Sequence, residues 1–114
     1  MHEMSLCQSI ADTVQKHAGG RSVAAIRLQI GHFRQVVPDT LRFCWKMMAE
    51  TRGLAGARLD VVPVPAVIRC GGCGTSTTLD LPVLVCGACS GRDVTLVSGE
   101  EFVIESIEIR EEDC

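Results

Sequence analysis

Tyrosine is absent from this 114-residue chain, and the other aromatics are scarce, with one Trp and three Phe. Any core must therefore be built from aliphatic side chains, which make up most of a 46% apolar composition. An excess of basic residues is also missing: 11 Lys and Arg face 14 Asp and Glu, for a net charge of −3. Nucleic-acid binding usually leaves a basic face with interleaved aromatics, so that class is disfavoured. No window approaches the run of about 18 apolar residues that would cross a membrane. The start of the chain shows no positively charged segment leading into an apolar run, so no secretory signal is expected. A cytoplasmic location follows as an expectation, and with it cysteines that are reduced or metal-bound. No nucleophile–base–acid set, Walker loop or Rossmann fingerprint is present, so catalysis is not predicted.

Cysteine is what the chain does have. Four of its seven cysteines form two Cys-x-x-Cys pairs, Cys70/Cys73 and Cys86/Cys89, with twelve residues between them. Each pair can fold into a knuckle that aims two sulfurs at one centre, and Gly71, Gly72, Gly74 and Gly87 supply the freedom such turns need. Two facing knuckles present four thiolates in a tetrahedron, the geometry of a structural zinc site with no open coordination position. Two disulfides or four free thiols are disfavoured by the paired spacing, as is a thiol–disulfide enzyme. A rubredoxin-type iron site uses the same ligands, and spacing alone does not separate it from zinc. Thr77–Val85 is β-branched or aliphatic enough for a short hairpin or ribbon between the knuckles.

The rest of the chain reads as helices and strands around this insert. Over residues 4–18, Leu6, Cys7, Ile10, Ala11, Val14 and Ala18 recur at helical spacing, and Gly19-Gly20 ends the helix. Ser22–Ile30 alternates as a half-buried strand. Pro38 opens a second helix with Asp39 in its first turn, and Gly53 stops it. Its apolar stripe is Leu41, Cys44, Trp45, Met48 and Ala49. Cys44, Met47 and Met48 invite a reading as soft metal ligands, but beside a Trp at helical spacing they fit core filling better, as does Cys7. His17 reads as a surface residue in the last turn of the first helix. Ala57–Val64 is a strand whose Pro63 suits a sheet edge, and Glu101–Ile109 is another. The expected class is α+β: a small three-stranded sheet with two helices, plus an inserted zinc-ribbon domain. Residues 1–66 and 97–114 would form one domain and residues 67–96 the ribbon, stapled by its metal because so short an insert buries little core.

The first three residues form a second candidate site. Met1-His2-Glu3 places an α-amine, a backbone amide, an imidazole and a carboxylate within a short reach. Amine and amide can close one chelate ring on a metal and the His2 imidazole another, with Glu3 completing the set. Such nitrogen and oxygen donors suit Ni(II) or Cu(II) better than zinc.

The Met1-His2-Glu3-Met-Ser-Leu start, the paired Cys-x-x-Cys ribbon near residues 70–89 and the overall length together resemble the HypA/HybF family, nickel metallochaperones of [NiFe]-hydrogenase maturation. The resemblance implies that Met1, His2 and Glu3 bind a transferable Ni(II), with His2 indispensable, and that Cys70, Cys73, Cys86 and Cys89 hold a structural Zn(II). It adds Asp39 as a further carboxylate donor, since some relatives supply one from the helix after the first strand. It also implies a HypB-type GTPase accessory protein and the [NiFe]-hydrogenase large-subunit precursor as partners, with some members serving urease. The family includes monomers and dimers, and the edge strand and apolar helices here suit a homodimer. Some relatives carry histidines within the ribbon; here the only histidines are His2, His17 and His32, so pH-switched zinc ligation by ribbon histidines is not expected. The competing reading is a zinc-ribbon nucleic-acid or transcription accessory module.

Overall fold

Two amphipathic helices and six strands account for most of the described residues. The computed structural model describes residues 3–110. Along them run α1 (Glu3–Ala18), β1 (Val23–Gly31), a 3-10 turn (His32–Arg34), α2 (Pro38–Thr51), β2 (Arg58–Val64), β3 (Ala66–Cys70), β4 (Ser76–Leu79), β5 (Val94–Ser98) and β6 (Phe102–Ile109). The strands form two three-stranded sheets, in the orders β2–β1–β6 and β4–β3–β5. The class is α+β, as the periodicity implied.

The chain divides into two compact units. Unit 1 comprises residues 1–29, 36–62 and 103–114, and unit 2 comprises residues 30–35 and 63–102. In unit 1 the helical spacing of α1 buries Leu6, Cys7, Ile10, Ala11, Val14 and Ala18, the stripe read from the sequence. The α2 stripe buries Leu41, Trp45, Met48 and Ala49 and leaves Cys44 half-buried. Met47 stays outside with Phe43, both more than half exposed, so the Met pair does not act as one cluster. Polar atoms inside this core are few and satisfied. The Trp45 indole N–H donates to the Ala57 carbonyl at 2.9 Å, and the Cys7 thiol lies 3.6 Å from the Leu41 carbonyl. Arg52 closes the far end, pairing with Asp12 and Gln15 of α1.

β1 is the central strand, and each fully buried Ile or Leu on it contributes about 1.5–3 kcal/mol. Ile26 and Leu28 are completely buried. β6 runs antiparallel to β1: Arg110 N–H donates to Ser22 at 2.8 Å and Gly31 N–H to Glu101 at 2.7 Å. Arg27 and Glu105, directly opposite in that register, form an exposed ion pair at 2.6 Å. β2 is an edge strand, the position in a sheet that tolerates a proline such as Pro63.

Unit 2 departs from the expected picture in its details. β3 is the centre of its sheet, with Val67 opposite Thr78 of β4 and Arg69 opposite Thr95 of β5, both antiparallel. The hairpin expected over Thr77–Val85 stops at Leu79. Beyond it, Val83 N–H bonds the Leu81 carbonyl and Val85 N–H the Val83 carbonyl, successive i→i+2 turns that curl the chain around Pro82. That coil exposes Leu81, Val83 and Leu84. The apolar centre of the unit is small: Ala66, Ile68 and Leu79 are buried, with Phe33, Val94 and Leu96 packed against them. The turn His32–Arg34, which no periodicity announced, is held by Phe33 N–H to Gly99 O at 2.8 Å and by the Arg34 guanidinium on Glu100 O at 2.7 Å. A side chain on Gly31 would clash with the Gly99 carbonyl, so the end of β1 and the link between β5 and β6 touch through bare backbone at this point.

Candidate metal centre

The two knuckles are built alike, residue for residue. Cys70 N–H donates to Thr75 O at 2.9 Å and Cys86 N–H to Gly91 O at 2.8 Å, each closing a loop from the first cysteine to the fifth residue beyond it. Gly74 N–H returns to Cys70 O at 2.9 Å and Ser90 N–H to Cys86 O at 3.0 Å. The residue four beyond the first cysteine is left-handed in both, Gly74 at φ 76° and Ser90 at φ 61°. The sequence pointed to glycines 71, 72, 74 and 87 for this role. Only Gly74 fills it, and the second knuckle puts Ser90 there, a placement that costs roughly 1–2 kcal/mol for a residue with a Cβ.

These turns bring Cys70, Cys73, Cys86 and Cys89 together, with all four sulfurs within 4.8 Å of one another. Cys70 and Cys89 stand 3.7 Å apart, and Cys73 and Cys86 3.5 Å. Four sulfurs at about 2.3 Å from a tetrahedral zinc would be about 3.8 Å from each other, so the cluster fits that ion with little adjustment. Cys70 and Cys86 are buried and Cys73 and Cys89 exposed.

The electrostatics also suit a cation. Hydrogen bonding from the Thr75 side chain, then from its backbone, holds Cys73 down at about 6. Backbone N–H groups of Cys89 and Ala88 lower Cys86, the latter at 3.4 Å from its sulfur. The Gly91 N–H pulls Cys89 in the same direction, but the sulfurs of Cys70, Cys86 and Cys73 together push it up to about 11. Thiols packed this closely cannot all ionise unless a positive ion joins them. Among the described residues no other group of three or more His, Cys, Asp or Glu side chains is arranged to hold a metal.

The N-terminal candidates are placed only in part. Met1 and His2 lie outside the described residues. Glu3 opens α1 in its first turn, half-buried. Asp39 sits in the first turn of α2 with its carboxylate almost fully exposed and 3.3 Å from Arg42. Glu3 and Asp39 do not meet in any cluster among the described residues. Cys7, one turn beyond Glu3, is pushed up to about 11 by burial, then by Cys44 and Glu3, and remains a thiol. His17 bonds its own helix, its ring Nδ1 lying 2.9 Å from the Thr13 carbonyl.

Sequence reasoning missed what ties the knuckles together. Gly71 N–H donates to the Asp93 carbonyl at 2.7 Å, and Gly87 N–H to the Thr77 hydroxyl at 3.0 Å. It also missed His32, whose Nε2 lies 3.1 Å from the Asp80 carbonyl. These contacts join positions 10 to 48 residues apart and follow no helical or strand periodicity.

A small α+β chain with a paired-knuckle, four-sulfur centre defines the class: a metal-binding protein built on a ribbon insert. Residues 1–109 match the family model described as "Hydrogenase/urease nickel incorporation, metallochaperone, hypA". The chain is 40% identical to the hydrogenase maturation factor HypA of Chlorobium limicola, over 99% of its own length and all of the relative's. It is 37% identical to that of Nostoc punctiforme, over 97% of each. Among solved structures it resembles the nickel metallochaperone HypA from Helicobacter pylori, at 21% identity and a TM-score of 0.67 over 98% of this chain and all of that one; this likeness speaks to the fold. The chain belongs to the HypA family. That family is one of nickel metallochaperones, not of catalysts, and membership sets aside the nucleic-acid module as the competing reading. No helix among the described residues is long and apolar enough to cross a membrane.

Proposed function

We propose that this protein carries Ni(II) at its N-terminus and delivers it to the large-subunit precursor of a [NiFe] hydrogenase, while Cys70, Cys73, Cys86 and Cys89 retain a structural Zn(II). The supporting observation is the family match over residues 1–109, which takes in both the Met1-His2-Glu3 start and the paired cysteines. The nickel donors are the Met1 amine and adjacent backbone, the His2 imidazole and the Glu3 carboxylate, with Asp39 as an additional carboxylate. A site made from a chain end is open to a competing ligand, which can displace the donors one at a time. A closed four-thiolate site offers no vacant position, so its ion stays. Residues 67–96 serve as the zinc-stapled module, and residues 1–66 and 97–114 as the nickel-handling domain. A HypB-type GTPase cooperates in the transfer, and the setting is the cytoplasm.

The test uses untagged, zinc-loaded protein titrated with Ni(II). His2→Ala should abolish the stoichiometric nickel site and leave zinc content and thermal unfolding unchanged. Equal nickel affinity in parent and variant would overturn the assignment.

A further inference from the structure

The two knuckles are related by an internal correspondence in which each residue of the first has a counterpart sixteen positions later. The loop-closing bonds and left-handed residues obey it, and so do the contacts that cross from one knuckle to the other. The residue after the first cysteine, Gly71 in one knuckle and Gly87 in the other, donates its N–H to the residue seven places beyond the first cysteine of the opposite knuckle. That acceptor residue is Asp93 for Gly71 and Thr77 for Gly87. The braces are reciprocal but not chemically equal. Gly71 is held by the backbone carbonyl of Asp93, which every residue type provides. Gly87 is held by the side-chain hydroxyl of Thr77, which few residue types provide.

Packing repeats the pattern. A Cβ on Gly71 would come within 2.8 Å of the Asp93 carboxylate, and one on Gly87 within 3.1 Å of the Thr77 methyl. Both glycines are thus explained by the brace lying over them, since Gly71 and Gly87 do not carry the positive φ of the knuckle turns. Thr77 itself is fixed from behind, in β4 opposite Ile68 of β3, and Ile68 is the largest completely buried side chain of unit 2. A rigid strand therefore carries a hydroxyl to the first peptide of the second knuckle.

We infer that Thr77 is a positioning residue of the metal centre: its hydroxyl stands in for a backbone carbonyl in the second of two reciprocal braces and holds Cys86 and Cys89 in register with Cys70 and Cys73 before the ion arrives. A site assembled in advance loses less conformational freedom on binding, so the brace acts on metal affinity as well as on fold stability. This inference rests on the reading of the four cysteines as one zinc site. Its loss leaves all four ligands and the Asp93 brace in place, so the geometry at the metal persists while the metal is held less tightly.

The experiment compares the parent with Thr77→Val, which keeps the branched shape and removes the hydroxyl, and with Thr77→Ser, which keeps the hydroxyl and removes the methyl. Each full-length protein is titrated with a chromophoric zinc chelator, and its cobalt(II)-substituted form is recorded by absorption. Thr77→Val should hold zinc roughly tenfold less tightly, in the range typical for loss of a ligand-orienting partner. Its cobalt spectrum should keep the tetrahedral, all-sulfur form. Thr77→Ser should stay within about twofold of the parent, the smaller change expected when the bond to Gly87 survives. Parental zinc affinity in Thr77→Val would overturn the inference, as would a Thr77→Ser protein as weak as Thr77→Val, which would assign the effect to methyl packing. A parent that binds no zinc through four sulfurs would instead bring down the underlying reading of the site.

Discussion

The two units of this protein solve the same stability problem by different means. Of the seven largest completely buried side chains among the described residues, Cys7, Ile10, Val14, Ile26, Leu28 and Leu41 belong to unit 1, and Ile68 alone to unit 2. Two helices and a sheet bury enough aliphatic surface to hold themselves together. Three short strands around Ala66, Ile68 and Leu79 do not, and four cysteines converge beside them. Where apolar burial runs short, a metal held by those four sulfurs would supply the cohesion, because its binding energy becomes folding energy. The scarcity of aromatics sharpens the division. Trp45 serves unit 1, and the one aromatic against the small core of unit 2, Phe33, is only partly buried.

The strongest way to break the comparison is to remove a sulfur. Cys73→Ala should weaken zinc binding by more than about a hundredfold, beyond the loss expected for an outer partner, and should unfold unit 2. Unit 1 should keep its helical circular dichroism signal. Retention of full zinc by the variant, measured by elemental analysis, would refute the four-sulfur arrangement.

A subtler probe concerns unit 1 and alkaline pH. Cys7 lies in the core with its thiol raised from 9.0 to about 11, first by burial and then by Cys44 and Glu3. A folded-state value above the unfolded one favours the fold below pH 9 and loses that advantage as pH climbs through 11. Unit 1 should therefore lose about 2–3 kcal/mol between pH 9 and 11, an amount set by the two-unit rise. Cys7→Ala should flatten that slope in urea melts followed at both pH values. A slope unchanged by the substitution would show that the thiol does not govern it.

The smallest expected effect is at the exposed face of the sheet. Arg27→Ala removes the ion pair with Glu105, which is 40–56% exposed on its two sides, and should cost less than about 1 kcal/mol, most of it lost in high salt. A larger penalty would mean that the pair orders β1 against β6 beyond ordinary surface electrostatics.

Much of unit 1 was legible because its information is local. The α1 stripe from Leu6 to Ala18 and the α2 stripe from Leu41 to Ala49 are direct readings of helical periodicity, and Pro38 and Gly53 mark where α2 begins and ends. The cysteine spacing likewise announced four convergent sulfurs. The extent of β4 was misread because β-branched composition over Thr77–Val85 says nothing about Pro82, which takes no part in a ladder as a donor. The left-handed residue of the second knuckle was assigned to glycine by preference, whereas the repeated geometry of the first knuckle dictates its position and Ser90 occupies it. The reciprocal braces at Asp93 and Thr77 depend on tertiary closure, and no periodicity or spacing rule links Gly71 to Asp93 or Gly87 to Thr77.

The contact between Gly31 and Gly99 carries an evolutionary consequence. A side-chain carbon on Gly31 would strike the Gly99 carbonyl, and one on Gly99, which sits at φ 118°, would come within 2.6 Å of the Ala66 backbone, so a main-chain atom closes each site to even a methyl group. Main-chain atoms are present whatever residue a neighbour carries, so no compensating substitution elsewhere reopens either position, and both glycines are fixed for as long as the backbone keeps this course.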